Sequence, residues 1–292
     1  MSTTYRGRFA PSPTGPLHLG SLIAALSSYL DAKHHNGQWL VRIDDLDPPR
    51  EVPGSAENIL NALQTHGLHW DEDLVWQSKQ SSFYETALTS LSAQNKTFAC
   101  DCSRQNLTPL GCCQSNCEQE QQRVTKPAAT RIAVPRGSQL SFDDALQGPQ
   151  SSAALEQQLS DFVIKRKDDF YAYQLAVVVD DAKSEINHIV RGADLMDSTP
   201  RQIFLQQALE LPTPNYAHLP VITNPQGQKF SKQNHAPALI DGEATQNLRR
   251  ALSFLGQTQP PGNLDSPGAI LAFARQTWSM QRVPKQLAIA AI

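Results

Sequence analysis

Several things are scarce in this sequence, and each scarcity excludes something. Its 292 residues contain no apolar run approaching the roughly 18 residues that cross a bilayer. The opening Met1-Ser-Thr-Thr-Tyr-Arg6 lacks the apolar segment of a secretory signal, so a soluble, cytoplasmic protein is expected. Surplus positive charge is also missing: 25 Lys and Arg stand against 28 Asp and Glu, a net charge of −3. Contact with nucleic acid would therefore rest on local patches, such as Lys165-Arg166-Lys167, rather than on a basic domain. No internal repeat is visible. Cysteine is absent from everything except one stretch, Cys100 to Cys117, which holds all five. Disulfides are not expected in a cytoplasmic chain, and such clustering points to a metal.

Cys100-x-Cys102 followed by a loop and Cys113-x3-Cys117 supplies four thiolates. That set suits tetrahedral zinc in a closed structural site, where the metal organises a loop too polar to fold on apolar burial. Cys112 and Cys113 compete for one position, because adjacent side chains point in different directions.

What the sequence has in abundance lies near its start. Arg8-Phe-Ala-Pro-Ser12-Pro-Thr-Gly15-Pro-Leu-His18-Leu-Gly20 is a stiff Pro/Gly turn leading into Leu22, Ile23, Leu26, Tyr29 and Leu30 at helical spacing. A turn of this kind ahead of a helix N-terminus makes an anion site. The helix end offers unpaired N–H groups and partial positive charge, and glycine lets a phosphate approach the backbone. Far downstream, Lys229-Phe-Ser-Lys232 sits in a Pro/Gly/Asn-rich loop after the apolar run Leu219 to Ile222, a pair of cations suited to gripping a polyphosphate.

The length exceeds a usual single domain, so two domains or one with an insertion is expected. Residues 39 to 44 read as a buried strand, 55 to 66 (closed by Gly67) and 80 to 94 as helices. Residues 100 to 126 are Cys- and Gln-rich, and 127 to 160 read as short strands and polar loops, together resembling an insertion. Strands are expected again at Phe162 to Lys165, Leu175 to Val179 and Ile186 to Val190, then a helix over 199 to 209. The continuous Leu-Ala-Val-Val-Val run suits a parallel strand buried on both faces. Two helical patterns interrupted by prolines close the chain. The expected architecture is α/β, a doubly wound parallel sheet. Its halves span 1–97 and 161–240, with a zinc-bearing insertion over 98–160 and a helical appendix over 241–292. Arg8, Asp44 and Arg191 each end a strand and would reach the crevice at the carboxyl edge of that sheet.

The first motif resembles the "HIGH" signature of class I aminoacyl-tRNA synthetases, and its Arg-Phe-Ala-Pro-Ser-Pro-Thr-Gly opening resembles the glutamyl/glutaminyl branch. Lys229 to Lys232 resembles the "KMSKS" loop of the same class, with Phe230 and Gln233 as departures. The resemblance covers about residues 5 to 240. It implies a Rossmann-type core that joins ATP, accompanied by Mg2+, to L-glutamate. His18, Lys229 and Lys232 would serve catalysis, with His18, Gly20 and Lys232 on ATP and the Val190 to Asp194 turn beside the adenosine. Arg8, Tyr173 and Arg191 match residues that read the glutamate side chain, while Ser12 and Asp44 match those holding its α-amino end. Asp44 stands where the family usually has Glu. Similar proteins carry a Tyr four residues before the last Cys; Cys113 occupies that place, which favours Cys100, Cys102, Cys113 and Cys117 as the ligands.

Only about 60 residues follow the lysine loop, whereas glutamyl-tRNA synthetases continue for roughly 200 more that read the anticodon. A glutamate-activating core without that part looks like a glutamyl-queuosine tRNA(Asp) synthetase, which transfers glutamate to queuosine in the anticodon loop of tRNA(Asp). The expected partners are that stem-loop, glutamate and ATP, and the expected state is monomeric. The alternatives are a minimal glutamyl-tRNA synthetase charging the acceptor end and a catalytically silent tRNA-binding zinc module.

Overall fold

The computed structural model describes residues 4–108, 111, 113, 117–121, 124, 127–153, 159–224 and 237–290. Strand β1 (Arg6–Phe9) leads through the Pro/Gly turn into helix α1 (Leu19–His34) and back to β2 (Gln38–Ile43), which pairs parallel to β1 with Arg8 opposite Leu40. From Trp39 onward β2 is buried throughout, the pattern of a strand covered on both faces. Helix α2 (Ser55–Thr65) ends at Gly67, whose φ of +75° admits glycine at little cost. The short β3 (Val75–Trp76) adds parallel to β2, and α3 (Ser81–Ala93) follows.

The chain then leaves this sheet. β4 (Thr97–Cys100) and β5 (Ala129–Ile132) pair antiparallel, β6 (Ser141–Asp144) and β7 (Gly148–Ser151) form a hairpin, and β8 (Phe162–Lys165) returns antiparallel to β5. β8 was expected in the parallel sheet; its alternating burial is that of an antiparallel strand with one covered face. The hairpin takes the opposite course and joins the central sheet, with Asp144 parallel to Tyr216.

Helix α4 (Tyr173–Lys183) corrects the sequence reading, which expected a strand over Leu175 to Val179. Every residue from Leu175 to Asp181 is buried, because α3, α5 and β8 enclose α4. An apolar run of five residues shows no period, so β-branched composition suggested a strand where tertiary enclosure imposes a helix. Strand β9 (His188–Gly192) starts two residues later than expected, after a turn at Glu185 with φ +53°. Helix α5 (Thr199–Ala208) connects it to β10 (Asn215–Leu219), parallel to β9 over five residues.

β9 lies beside β1: the Asn187 backbone N–H donates to the Arg6 carbonyl, and the Arg6 N–H donates to Asn187 Oδ1 at 2.8 Å. From β1 the connections run outward one way through β2 and β3, and from β9 the other way through β10. The crevice at this reversal, beyond the carboxyl ends of the strands, is where such sheets bind ligands.

β11 (Val221–Thr223) pairs parallel with β12 (Ala288–Ala290). Helices α6 (Ala244–Phe254) and α7 (Pro267–Thr277) pack on α1, and Leu248, Leu252 and Ile270 share one buried core with Leu22 and Leu26. Burying each such side chain contributes about 1.5–3 kcal/mol. Asp31 ties the same parts together, accepting from Tyr5 Oη at 2.5 Å and from Trp278 Nε1 at 2.9 Å. No helix among the described residues is long and apolar enough to cross a membrane.

Candidate active site

A cavity of about 330 Å³ opens at the β1/β9 crevice. Arg8, Ser12, His18, Gly20, Asp44, Tyr173 and Arg191 all line it, although they come from four separate stretches of sequence. Lys229, Lys232 and Cys112 lie outside the described residues.

His18 is the N-cap of α1, its Nδ1 accepting from the Ser21 N–H at 3.3 Å. In the neutral ring this puts the proton on Nε2, a donor suited to a phosphate oxygen. A Cβ at Gly20 would come within 3.1 Å of the His18 ring and 3.2 Å of Ile222, so glycine gives the ring its place. On the far side of the lysine segment, Ala238 forms a bridge to His18, and the Leu239 N–H donates to the Leu17 carbonyl at 2.8 Å. The chain following that segment is thereby tied to the first motif.

The arginines are held rather than loose. Arg8 is 5% exposed and meets Asp181 through Nε at 3.2 Å and Nη2 at 3.3 Å. Arg42 donates to Asp181 from Nη1 at 2.5 Å and to Asp44 from Nε at 2.7 Å, and it lies 3.8 Å from Asp180. Burial raises Asp181, but Arg8 and Arg42 outweigh it and hold this carboxyl below its ordinary value. For Asp44 burial prevails over Arg42, and its carboxyl is raised. Asp180 is pushed up to about 6, chiefly by burial, against the pull of Arg42, Tyr84 and Gln77.

Arg191 donates from Nε to His218 Nε2 at 3.1 Å and from Nη1 to Gln202 Oε1 at 2.8 Å. From Nη2 it donates to Thr199 Oγ1 at 2.7 Å and to the Leu195 carbonyl at 3.3 Å. Four of its five N–H groups are thus engaged, and the bidentate fork expected of Arg191 is reduced to a single Nη1 hydrogen unless partners are exchanged. Tyr173, at the first turn of α4, is 37% exposed and faces the same cavity.

The supporting residues Arg42, Asp180, Asp181, Asp144 and His218 were missed from sequence. One signal was there: charged residues inside runs such as Trp39 to Ile43 and Val177 to Asp181 have to be paired to be buried.

Away from the cavity, Cys100, Cys102, Cys113 and Cys117 gather with all four sulfurs within 4.8 Å of one another. Cys102 Sγ lies 3.8 Å from Cys113 Sγ and 3.6 Å from Cys117 Sγ. Sulfurs at the corners of a tetrahedron around a metal, each about 2.3 Å from it, stand about 3.8 Å apart, so this group could hold one ion. Burial, with help from neighbouring sulfurs, raises the thiols of Cys100 and Cys117, a cost that a bound cation would reverse. Asp161 anchors the cluster by accepting from the Cys113 N–H at 3.1 Å and from Arg131 Nε at 2.5 Å, and Lys167 Nζ donates to the carbonyls of Asp101 and Cys102 at 2.6 and 2.8 Å.

Residues 4–250 match the family of class I tRNA synthetases (E and Q), catalytic domain. The glutamyl-Q tRNA(Asp) synthetase of Ectopseudomonas mendocina is 44% identical, over 99% of this chain and 98% of its own. That of Neisseria meningitidis serogroup B is 45% identical, over 98% and 99%. The chain belongs to the glutamyl-Q tRNA(Asp) synthetase family. It is a class I, glutamyl-tRNA synthetase-like ligase. Its fold is shared with the glutamate-tRNA synthetase of Elizabethkingia anophelis, at a TM-score of 0.79 and 24% identity, over 99% of this chain and 68% of that one. The glutamate tRNA ligase of Elizabethkingia meningosepticum, solved in complex with its amino acid, gives 0.78 and 24%, over 97% and 66%. Residues 4–250 of the described architecture are thus a class I tRNA synthetase catalytic domain.

Proposed function

We propose that the protein activates L-glutamate with ATP and transfers it to queuosine in the anticodon loop of tRNA(Asp). The observation that carries the first step is the charge layout of the cavity, where buried Arg8 on β1 and Arg191 on β9 face one space with Asp44, which follows β2 and whose side chain is 7% exposed. Arg8 and Arg191, with Tyr173, would receive the side-chain carboxylate. Asp44 and Ser12 would hold the ammonium group, with the shorter Asp reaching one methylene less than Glu. The free α-carboxylate is then presented to ATP.

An oxygen of that carboxylate attacks the α-phosphorus, the bond from this phosphorus to the bridging oxygen breaks, and pyrophosphate leaves. The reaction needs no protein nucleophile, only in-line placement and stabilisation of charge. His18 would donate to phosphate oxygens, while Gly20 leaves them room. Lys229 and Lys232 are assigned to the leaving phosphates on sequence grounds. A nucleophile of the modified base next attacks the acyl carbon, and AMP departs.

Mg2+ would accompany ATP. Zinc is the ion best suited to four thiolates, and Cys100, Cys102, Cys113 and Cys117 would hold it as a structural site, remote from the chemistry. A division into core halves 1–97 and 161–240, an insertion 98–160 and an appendix 241–292 goes with this reading, with β6 and β7 of the insertion pairing into the core sheet and β8 of the second half pairing with β5 of the insertion. The insertion would meet the RNA, and the enzyme would act as a cytoplasmic monomer.

The deciding experiment locates labelled glutamate on tRNA(Asp). With queuosine-containing RNA the label should sit in the anticodon loop, and mild periodate treatment of queuosine beforehand should abolish it. Label on the terminal adenosine would instead make the protein a small glutamyl-tRNA synthetase.

A further inference from the structure

The structure assigns to His218 and Asp144 the task of holding Arg191 in the orientation that reads the substrate side chain, an inference that rests on the glutamate reading of the cavity. His218, on β10, is fully buried, and Asp144, at the end of β6, is 3% exposed. His218 Nδ1 lies 2.6 Å from Asp144 Oδ2, and His218 Nε2 lies 3.1 Å from Arg191 Nε. An arginine Nε–H can only donate, so His218 Nε2 must accept. The imidazole is then neutral with its proton on Nδ1, donated to Asp144. Both neighbours therefore demand the same tautomer, and Asp144 is the group that selects it.

The electrostatics agree. Burial lowers His218, and Arg191 lowers it further, against the hydrogen bond to Asp144, so the ring stays neutral. Burial raises Asp144, but hydrogen bonds from His218 and Gln147 outweigh it, so the carboxylate stays ionised. Asp144 is itself fixed in place. Its Oδ1 accepts from the backbone N–H groups of Leu146 at 3.0 Å, Gln147 at 2.8 Å and His218 at 3.2 Å. Without Asp144 the ring could carry its proton on Nε2, setting N–H against N–H and turning the guanidinium away. Gln202, Thr199 and the Leu195 carbonyl grip the Nη ends, and Thr199 Oγ1 also lies 3.1 Å from His218 Nε2, so His218 both holds the Nε end and steadies a residue that holds Nη2.

The β6–β7 hairpin thus acts on the cavity, although neither of its strands lines it. His218 and Asp144 are positioning residues, since neither lines the cavity.

Two substitutions separate positioning from packing. Asn at 218 keeps a donor near the Nδ1 site for Asp144 and leaves nothing for Arg191. Gln at 218 brings an acceptor oxygen to the Nε2 site. In glutamate-dependent ATP–pyrophosphate exchange, His218→Asn should raise KM for glutamate by about tenfold or more, the scale of losing one hydrogen bond to a charged group. KM for ATP should stay within about twofold, and His218→Gln should recover most of the loss. In 15N spectra, hydrogen exchange at Arg191 Nε–H should be about tenfold or more faster in His218→Asn than in His218→Gln, as expected when its acceptor is lost. Equal KM values for glutamate in both variants and the native protein, or equal exchange at Nε–H, would overturn the assignment. Should position 218 tolerate neither residue, Asp144→Asn should produce the same selective rise in KM for glutamate. If the native protein shows no glutamate-dependent exchange, the glutamate reading fails, and the Nε–H comparison still decides whether His218 holds Arg191.

Discussion

Asp181 joins Arg8 to Arg42: it accepts from Arg8 Nε at 3.2 Å and from Arg42 Nη1 at 2.5 Å, with all three side chains buried. Arg42 continues the chain to Asp44. A residue assigned to the side-chain end of glutamate is thereby coupled to one assigned to its ammonium end, through two groups placed to hold them. Asp181→Asn should leave Arg8 and Arg42 with one neutral partner in place of an anion. Removing one member of a buried pair costs about 3–5 kcal/mol, and Asn keeps part of the hydrogen bonding, so the loss should fall toward the lower end. Urea unfolding should show it, together with a fall of about 10²-fold in kcat/KM for exchange, the scale of losing a positioned charge contact. A variant of native stability and activity would show that Arg8 is held by other means.

Asp180 makes stability near its raised value dependent on pH. The folded protein holds the Asp180 proton up to about pH 6, above the ordinary 3.8, so folding favours the protonated form. Its contribution is complete below about 3.8 and is lost as pH rises through 6. Asp180→Asn keeps an oxygen for Tyr84 and Gln77, which donate to Asp180 Oδ2 at 2.7 Å each, and it cannot ionise. Relative to the native chain, the variant should gain about 2–3 kcal/mol of stability between pH 4 and pH 7.5. Urea unfolding of both proteins at those two pH values tests this, and a constant difference would mean that Asp180 titrates normally.

The cysteine cluster should bind close to one metal ion per chain by elemental analysis. Cys102→Ser and Cys113→Ser should each lose most of it, while Cys112→Ser retains it. Removal by a chelator should loosen the β4–β5–β8 region, seen as faster hydrogen exchange at Cys100 and Ala129, and should spare adenylate formation. If Cys112→Ser loses the metal and Cys113→Ser keeps it, the ligand set is wrong.

Glutamine should be activated at least about 10²-fold less efficiently than glutamate. Its amide N–H₂ would face guanidinium donors in a desolvated space, and unpaired polar groups there cost about 1–3 kcal/mol, more when one is charged. Arg191→Ala should remove most glutamate-dependent exchange. Comparable exchange with both amino acids would detach Arg8 and Arg191 from the side-chain carboxylate.

Local chemistry was legible in the sequence wherever a short stretch carries it whole. The Pro/Gly turn, the helix N-terminus it leads into and the α1 periodicity lie within about 30 consecutive residues, as backbone stiffness and amphipathicity are local properties. The four cysteines were likewise readable, because a metal site confined to one loop needs only the right donors close together. Tertiary structure decided what depends on enclosure. Leu175 to Val179 became a helix because neighbours surround it, and a run with no period says nothing about neighbours. It also decided which charges meet. Arg8 and Asp181 are 173 residues apart, and Asp144 and His218 are 74 apart. Sequence alone showed that such residues were present and costly to bury; only the packed sheet, by removing water from around them, determined which partner offsets each cost.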